Sequence, residues 1–357
     1  MRYEEERDLY SHSLRTKPEN QESYEDISSS SGKRNPAAHR RKKRKRHTVR
    51  NLLLFILAAL LLAGGGTYAY TYRVIDRIER TPLDQNDLGI TTSDYEGVRN
   101  IALLGVDSRE DEKVGRSDAV MIVSINRKAG KIKLTSIARD SYVAIDGHKK
   151  DKLTHAYAYG RAQLAVKTLN QNFGLEITDH VTMNFFGLSR VIDYIGGVTV
   201  EVDEAERKEM NTNIIPWMVE MGIPCEPVTT AGTQLLTGGQ AVSYARIRHT
   251  DSDIVRGGRQ REVLEAIFAA AKGGNPLRWP KIAEKIVAEC DTSLATNDLI
   301  NLGVWAMFTS PEFEQLSIPN EDLPASGKII GGAWQYVYDT DAAAKIMRRF
   351  ILGSAGE

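Results

Sequence analysis

The sequence has few cysteines and lacks the short motifs of several large enzyme classes. Two cysteines, Cys225 and Cys290, occur in 357 residues, too far apart for a zinc knuckle and too few for a disulfide scaffold. The sequence leaves open whether they pair. The chain contains no GxxxxGK(S/T), no GxGxxG after a strand, no GxSxG, no HExxH and no CxxC. Nucleotide-binding, serine-hydrolase and zinc-enzyme functions therefore have no motif to support them.

The chain has no net charge, although its positive and negative residues are unevenly distributed. Residues 1–50 contain 14 Lys and Arg against 8 Asp and Glu, and the whole chain is neutral, so the remainder is mildly acidic. An acidic body argues against a general nucleic-acid surface. Residues 1–38 are polar and rich in Ser and Glu, which predicts a disordered tail, and 40–46 (RRKKRKR) form an unbroken basic run.

The basic run precedes a candidate membrane span. Residues 52–63 are wholly apolar and are followed by GGGTYAYTY. A helix over 52–72 would be about 31 Å long, close to the thickness of a bilayer core. The positive-inside rule then predicts a cytoplasmic tail over 1–50, a transmembrane helix over 51–72 and an extracellular remainder. A cleaved signal peptide is the rival interpretation, but no small-x-small cleavage site directly follows the apolar run.

Strands and helices alternate after a predicted extracellular spacer over 73–97. Residues 203–232 contain three prolines and are expected to be irregular. The alternation predicts an α/β or α+β sandwich, in which a central mixed β-sheet is flanked by helices. Apolar runs predict strands over 100–106, 118–126, 131–138, 181–185 and 198–202, and helical patterns predict helices over 155–172, 186–195, 279–290, 297–308 and 340–352.

Residues 244–262, YARIRHTDSDIVRGGRQRE, contain five arginines and no lysine. A solvated face normally mixes the two cations, whereas arginine alone indicates guanidinium groups that bind phosphate or carboxylate oxygens in pairs. An apolar helical pattern follows at 263–271, so the guanidiniums lie at a helix start, where free N–H groups already favour an anion. The alternative is a charged helix cap with solvent-exposed ion pairs. The arginines are Arg246, Arg248, Arg256, Arg259 and Arg261.

Charged residues also lie at the ends of three consecutive predicted strands. Asp107 follows the first strand, Arg116 and Asp118 are at the start of the second, and Arg139 and Asp140 follow the third. Carboxylates on one rim of a sheet, with oxygen ligands only, suit Mg²⁺, which completes its shell with water and substrate phosphate. Each aspartate alone could instead cap a helix or pair with an arginine. Together with 244–262, the pattern favours a metal and arginine site for a pyrophosphate.

These segments resemble the LytR-CpsA-Psr family of bacterial cell-wall ligases. The matching stretches cover about 98–270 in family order and read NIALLGVDSR, GRSDAVMIVSIN, LTSIARDSYV, DKLTHAYAYG, IGGVTVEV and LTGGQAVSYARIRHTDSDIVRGGRQREVL. Residues 98–357 would then form one extracellular catalytic domain, of which 271–357 match only weakly. One departure is Ala138, where the family usually has proline. This change is expected to loosen the strand exit without removing Arg139.

The resemblance implies roles for particular residues and a cofactor. Asp107 and Asp118 would bind Mg²⁺, with Mn²⁺ as the alternative. The catalytic set would be Asp107, Arg116, Asp118, Arg139, Arg246 and Arg248, and substrate would be bound or supported by Lys152, Asp253, Arg256, Arg259 and Gln260. The implied reaction transfers a glycan-phosphate from a polyprenyl-pyrophosphate carrier to a peptidoglycan hydroxyl.

The predicted protein is therefore a membrane-anchored phosphotransferase. Its partners are the lipid-linked glycan, the peptidoglycan acceptor and the membrane, and not a nucleic acid. A non-catalytic module that binds lipid-linked glycan, or a regulator of envelope genes, is the alternative, and a pyrophosphatase is a third. Helices over 155–172 and 186–195 could line an apolar groove for the prenyl chain. Asp140 and Asp253 are both candidates for the general base, and the transferred polymer stays open.

Overall fold

The apolar strands assemble into one six-stranded mixed sheet in this computed structural model of the protein. β1 (Val98–Asp107) pairs antiparallel with β2 (Arg116–Asn126), which pairs antiparallel with β3 (Lys131–Ile137). The outer strands are β6 (Ile177–Asn184), parallel to β1, then β9 (Asp291–Thr292), and on the other side β10 (Glu312–Ile318), parallel to β3. The residues whose structure is described are 51, 54–58, 65–77, 80–91, 94–108, 115–248, 253–273 and 279–353.

Helices cover both faces of the sheet. In chain order they are α1 (Leu153–Phe173), α2 (Phe185–Ile195), α3 (Glu204–Glu209), α4 (Ile215–Glu220), α5 (Gly238–Ala245), α6 (Asp253–Gly273), α7 (Trp279–Ala288), α8 (Thr296–Thr309) and α9 (Thr340–Leu352). Two-stranded sheets are formed by β4 (Tyr142–Val143) with β5 (Asp151–Lys152), by β7 (Val198–Val202) with β8 (Gly232–Leu236), and by β11 (Ser326–Ile330) with β12 (Ala333–Val337).

Alternation along the strands explains how one sheet supports cores on both faces. Residues two apart in a strand face the same side. Ala102 and Leu104 of β1 are buried in a cluster with Val166 of α1 and with α9. Ile101 faces the other side, where it packs with Leu134 and partly buried residues of α6 and α8. A one-residue slip would exchange the two faces, so burial fixes the register.

Residues 203–232 are irregular only over 221–231, because 204–220 are helical, contrary to expectation. Asp203 accepts a hydrogen bond from the Glu206 backbone and Glu206 reciprocates, which makes a capping box at the start of α3. Pro216 lies in the first turn of α4, where its missing N–H group would have no helical partner anyway. The prolines therefore mark a helix start as well as loops, and a composition argument alone could not separate the two.

The predicted spacer over 73–97 packs onto the body instead of running free. Leu83, Leu88 and Tyr95 are buried in the main core, and Arg80 Nε donates a 3.1 Å hydrogen bond to the Leu294 carbonyl. The folded body therefore begins before Val98. The apolar side chains of this segment explain the packing, because each contributes about 1.5–3 kcal/mol when fully buried.

The predicted tail and membrane span lie largely outside the part of the chain that the structure describes. The chain divides into two units, with the boundary between Leu61 and Leu62. Residues 1–50 lie outside the described residues, and of 51–72 only 51, 54–58 and 65–72 are described, as helix. Among the described residues, no helix has the length and apolar character needed to cross a bilayer. Cys225 and Cys290 are both free thiols.

Candidate active site

The charged residues at the three strand ends meet on one rim of the sheet. The register of β1 and β2 places Asp107 opposite Arg116. Asp118, two residues further along β2, forms a 2.6 Å ion pair with Arg139 Nη1 at the exit of β3. A bulge after Gly105 interrupts the ladder just before Asp107. Bulges are common next to active sites because they redirect the side chains that follow.

The rim continues into a chain of alternating charges. Asp140 is buried, and its carboxylate lies 2.9 Å from Lys152 Nζ and 3.9 Å from Arg139 Nε. Lys152 is the last residue of β5 and immediately precedes α1. Carboxylates on both sides hold Arg139 in place, so its position is set before any ligand arrives. Lys152 therefore contacts the rim through Asp140.

Two glycines fix the position of α5 and of the arginine at its end. A Cβ on Gly238 would lie 1.9 Å from the Ser189 carbonyl oxygen, and one on Gly239 would lie 2.2 Å from the Pro224 carbonyl oxygen. Glycine alone permits backbones to approach this closely. The LTGGQ stretch thus presses the start of α5 against α2 and the preceding loop, and Arg246 follows the last residue of that helix.

The Arg246 guanidinium lies between two aromatic rings. Its Cζ atom is 4.2 Å from the centre of the Phe185 ring and 4.4 Å from the centre of the Trp217 ring. Each such contact contributes about 0.5–1 kcal/mol at exposed sites and about 2 kcal/mol when desolvated. Phe185 begins α2 and Trp217 belongs to α4, so two separate helices restrict the side chain.

Polar partners of Arg246 are few. Nη1 lies 3.7 Å from an Asp107 carboxylate oxygen, and it is buried without a hydrogen bond within the described residues. Burial lowers the pKa of Arg246, Asp107 and Asp118 raise it, and the cations Arg139 and Arg248 lower it. The two aspartates and two arginines thus lie together, as the sequence predicts. An unmet buried donor costs about 1–3 kcal/mol, so this position suits an anionic ligand.

The first two turns of α6 complete a polar pocket. Arg256 and Gln260 are one turn apart and face the strand ends. Gly257 lets the helix approach β3, because a Cβ there would already lie 3.1 Å from Ser136 Oγ. The pocket is lined by Asp118, Phe185, Ala245, Arg246, Arg248, Arg256 and Gln260.

Arg259 does not line this pocket, which corrects its predicted place beside Gln260. At 3.6 residues per turn it lies about 100° around the helix from Gln260. Its Nε donates a 2.7 Å hydrogen bond to Glu206, and its guanidinium lies 5.9 Å from the Tyr244 ring. Arg261 likewise turns away and donates to Ser317 Oγ at 2.8 Å. Two of the five arginines therefore hold α6 to its neighbours.

The roles of Asp253 and Arg116, like those of the other predicted site residues, stay predictions. Asp253 begins α6, but its side chain is outside the described part of the chain. Arg116 is exposed at the start of β2, opposite Asp107, and it is not among the residues that line the polar pocket.

An apolar cavity of about 200 Å³ adjoins the polar pocket. It lies between one face of the sheet and the helices α2, α5 and α6. Gly105 and Ala119 oppose each other on β1 and β2, and a Cβ on Gly105 would lie 2.9 Å from the Ala119 Cβ. These small residues keep the floor of the cavity open. Phe185, Ala245 and Gln260 line both spaces, so the two meet there.

The helix predicted over 155–172 does not line the cavity. Its structural counterpart, α1, packs in the core on the opposite face of the sheet. The helix predicted over 186–195 does contribute, through Phe185 and Leu188 of α2. Both helices show apolar patterns, and the pattern alone does not reveal which face of the sheet each one covers.

The oxygen ligands at the rim fit a magnesium-like ion. Asp107 is 45% exposed on its side chain, and the Arg246 guanidinium lies 3.7 Å from its carboxylate. Mg²⁺ takes one or two carboxylates and prefers to complete its shell with water and substrate phosphates. Among the described residues, no group of three or more His, Cys, Asp or Glu side chains could hold a metal. Asp107 and Asp118 would therefore act as a pair that needs the substrate.

The sequence does not identify the residues that surround Arg246 or those that form the floor of the cavity. The apolar pattern places Phe185 at a strand end, and the prolines place Trp217 in a segment predicted to be irregular. A signal was present in the capping box at Asp203, which predicts helix in the segment that contains Trp217. No local signal identifies Gly105 and Ala119 as partners, because their pairing depends on the register.

The fold and site define a member of a known family. The chain belongs to the LytR_cpsA_psr family, whose model matches residues 67–351. It is similar to the polyisoprenyl-teichoic acid–peptidoglycan teichoic acid transferase TagT of Bacillus subtilis strain 168, with 33% identity over 234 residues, which is 64% of this chain and 70% of that relative.

Solved structures of the same kind share the fold. A structure described as TagT bound to LI-WTA superposes with a TM-score of 0.61 at 27% identity and covers 78% of this chain and 100% of that one. A LytR-CPS2A-psr family protein, YwtF (TagT), with bound octaprenyl pyrophosphate lipid gives a TM-score of 0.57 at 26% identity and covers 76% and 99%.

Proposed function

We propose that this protein is a phosphotransferase that moves a glycan-phosphate from a polyprenyl-pyrophosphate carrier to a peptidoglycan hydroxyl. The observation that carries the proposal is the junction at Gln260, where the cation-lined pocket meets the apolar cavity. A polyprenyl pyrophosphate has the matching form, because a diphosphate adjoins a branched apolar chain. The relatives named as teichoic acid transferases and the neighbour with bound octaprenyl pyrophosphate support the assignment.

The arginines divide the work of holding the diphosphate. Arg246 is fixed between two rings with an unmet donor, Arg139 is held between two carboxylates, and Arg248 and Arg256 line the pocket. Phosphoryl transfer depends on positioning and on stabilising charge that spreads over the phosphate oxygens. Cations that are already in place need little reorganisation as charge develops on the departing polyprenyl phosphate.

Asp107 and Asp118 would hold a magnesium ion at the same rim. When bound, the ion neutralises phosphate charge and orients the diphosphate. The two aspartates also tune the pKa of Arg246, so they act on the anion site as carboxylates in their own right.

The chemical step breaks the phosphoanhydride bond of the donor and forms a phosphate ester bond to the acceptor. The acceptor hydroxyl attacks the sugar-side phosphorus, the bond to polyprenyl phosphate breaks, and the hydroxyl proton passes to a carboxylate. Asp140 and Asp253 are the two candidates for that carboxylate. Asp140 lies between Lys152 and Arg139, which suits it better to orienting the rim than to accepting a proton.

Reconstitution tests the function and separates it from its alternatives. Full-length protein in detergent is incubated with a polyprenyl-pyrophosphate-linked glycan and peptidoglycan, with Mg²⁺ or with a chelator, and the products are identified by mass spectrometry. We expect glycan-phosphate on peptidoglycan and free polyprenyl phosphate, with Mg²⁺ required. Tight donor binding without any product would favour the non-catalytic glycan-binding module. Released glycan-phosphate without attachment would favour a pyrophosphatase.

The lipid assignment has its own test in the cavity. Ala119→Phe fills the floor between β1 and β2 and leaves every charged residue of the rim in place. The KM for a long-chain prenyl donor should rise about tenfold, because the tail loses apolar burial. A donor analogue with a short tail serves as the matched control and should keep its KM. Equal effects on both donors would mean that the cavity does not hold the prenyl chain.

We also propose that the chain is anchored by one membrane span over 51–72, with 1–50 in the cytoplasm and the catalytic body outside. The basic run at 40–46 before the apolar run supports this orientation. Protease protection of the tail in intact cells tests it, and a tail cut from outside would refute the orientation.

A further inference from the structure

A hairpin beside Asp140 presents an exposed tryptophan that the proposed reaction does not use. The Tyr336 amide of β12 donates a 2.9 Å hydrogen bond to the Asp140 carbonyl, and Ser141 and Tyr336 form a parallel bridge. Trp334 lies two residues before Tyr336, so it is close along the strand to the point where the hairpin is bonded to the rim at Asp140.

The hairpin has one packed face and one open face. Residues two apart in a strand share a face, and so do residues directly opposed in an antiparallel pair. Gln335 is 4% exposed and marks the packed face, whereas Trp334 and the opposed Ile329 are 43% and 77% exposed. Trp334 and Ile329 are exposed and Tyr336 is half-buried on the same face, and we call these three residues the hairpin platform.

The indole ring is supported from below and from one side. A Cβ on Gly327, which opposes Tyr336, would lie only 2.6–2.8 Å from three atoms of the Trp334 ring system. Glycine therefore makes room for the ring against the backbone. The Tyr336 ring meets the Trp334 ring edge-on, with centroids 4.4 Å apart and planes at 77°. The contacts preorganise an aromatic surface that stays open to solvent.

We propose that the hairpin platform is the subsite for the acceptor glycan strand, an assignment that rests on the proposed function. The C–H face of a pyranose carries slight positive charge and packs against the negative face of an aromatic ring. A sugar unit on Trp334 would lie next to the Arg139–Asp140 rim, from which an adjoining hydroxyl can reach the pocket. Ser326 and Lys328 alternate with the platform positions along β11 and are exposed, so the hairpin carries polar side chains beside its aromatic face, which suits a polar polymer better than a lipid surface or a second copy.

Binding of glycan without donor tests the subsite independently of catalysis. The probe is peptidoglycan glycan strands released by a muramidase and free of wall polymer, titrated by calorimetry into full-length protein in detergent. Trp334→Ala should raise Kd about tenfold, or ~1.4 kcal/mol, and Trp334→Phe should retain most of the affinity. Gly327→Ala should also weaken binding, because the added methyl group displaces the ring while the tryptophan remains. Phe308→Ala, on the exposed face of α8, is the matched control and should change nothing.

Kinetics separates this subsite from the donor site. Trp334→Ala should raise the KM for the acceptor about tenfold and leave kcat and the donor KM unchanged. A variant with wild-type glycan affinity and acceptor KM would overturn the subsite. The subsite would also be overturned if Trp334→Ala lost binding to phosphatidylglycerol vesicles, or changed its oligomeric state, while its glycan binding stayed intact. If the wild type binds glycan through Trp334 but transfers nothing, the subsite stands and the proposed function fails. Should Trp334→Ala unfold, Trp334→Phe and Gly327→Ala decide the outcome.

Discussion

Arg246→Ala should remove transferase activity and leave the fold about as stable as before. In the free protein the guanidinium is buried beside Phe185 and Trp217, and Nη1 has no hydrogen bond within the described residues. Desolvation by burial is the largest influence on its pKa and lowers it, so the environment does not stabilise the charge. The residue is therefore held in readiness for an anion and does little for stability.

The opposing contributions are similar in size. The two ring contacts stabilise the side chain by about 0.5–2 kcal/mol each. The unmet buried donor opposes this by about 1–3 kcal/mol, and the 3.7 Å contact with Asp107 adds little because that aspartate is half exposed. The net change on truncation should lie within about 1 kcal/mol of zero. Activity should fall at least about a hundredfold, as expected when one preorganised charge-stabilising group is lost.

Arg259→Ala is the matched control, since it removes the same side chain from the same region. Arg259 is 7% exposed, and its 2.7 Å ion pair joins α6 to Glu206 of α3. Removal leaves the Glu206 carboxylate, which is 14% exposed and still accepts from the Asp203 amide, without its cation, and this should destabilise the protein by about 1–3 kcal/mol. Transfer per folded molecule should stay within about threefold of wild type, because the residue does not line the polar pocket.

Two assays read out the contrast. Urea unfolding followed by tryptophan fluorescence gives the free energy of unfolding, and transfer of a labelled glycan from its prenyl carrier gives activity per folded molecule. The reasoning is refuted if Arg246→Ala lowers the free energy of unfolding by more than about 2 kcal/mol, or if it keeps full activity. It is equally refuted if Arg259→Ala abolishes transfer without affecting stability.

The other predictions concern the scaffold. Gly238→Ala should destabilise the protein by at least about 3 kcal/mol in urea unfolding, because its methyl group would lie 1.9 Å from the Ser189 carbonyl, whereas Gly273→Ala, with open space around it, should not. Burial lowers the pKa of His180, so the unfolded chain takes up its proton first and stability should fall as pH drops below about 6.5. His180→Gln should flatten that dependence. Burial raises the pKa of the Cys290 thiol to about 12, so native protein at pH 8 should resist alkylation by iodoacetamide at this residue until urea unfolds it, as mass spectrometry can show.

The sequence predicts those parts of the fold that local pattern determines. The strands over 100–106 and 131–138 and the helices over 297–308 and 340–352 appear in the structure with small differences at their ends. Their apolar periodicity is strong, and each is bounded by turn residues. The hairpin of β11 and β12 and the edge strand β10 were not predicted, because half-exposed strands carry a weak alternation.

The part of the site formed by neighbouring strands is predictable from the sequence. The part formed by residues distant in the sequence is not. Asp107 and Asp118 were brought together with Arg139 by neighbouring antiparallel strands, whose ends must share a rim. The sandwich around Arg246 depends on α2 and α4 meeting α5, which no local spacing encodes. Helical spacing alone places Arg259 on one face with Arg256 and Gln260. Its ion pair with Glu206 of α3 instead directs the side chain away from the polar pocket.

Ala138 shows how the structure reverses an expectation about the strand exit. The family usually has proline here, and its absence was expected to loosen the chain before Arg139. The Ala138 amide instead donates a 2.8 Å hydrogen bond to the Ile318 carbonyl at the end of β10. Proline has no N–H group and could not make this bond, which contributes about 0.5–1.5 kcal/mol.

The same bond links the rim to the C-terminal part of the chain. β10 runs parallel to β3 up to Ile318, and the Ala138 bond extends that pairing by one residue toward Arg139. Beyond Arg139, the Asp140 carbonyl accepts from Tyr336 of the hairpin. Two backbone hydrogen bonds from residues 310–340 thus flank Arg139. The sequence alone predicts no role for that region. Residues that contact no substrate can therefore set the position of the charge that does.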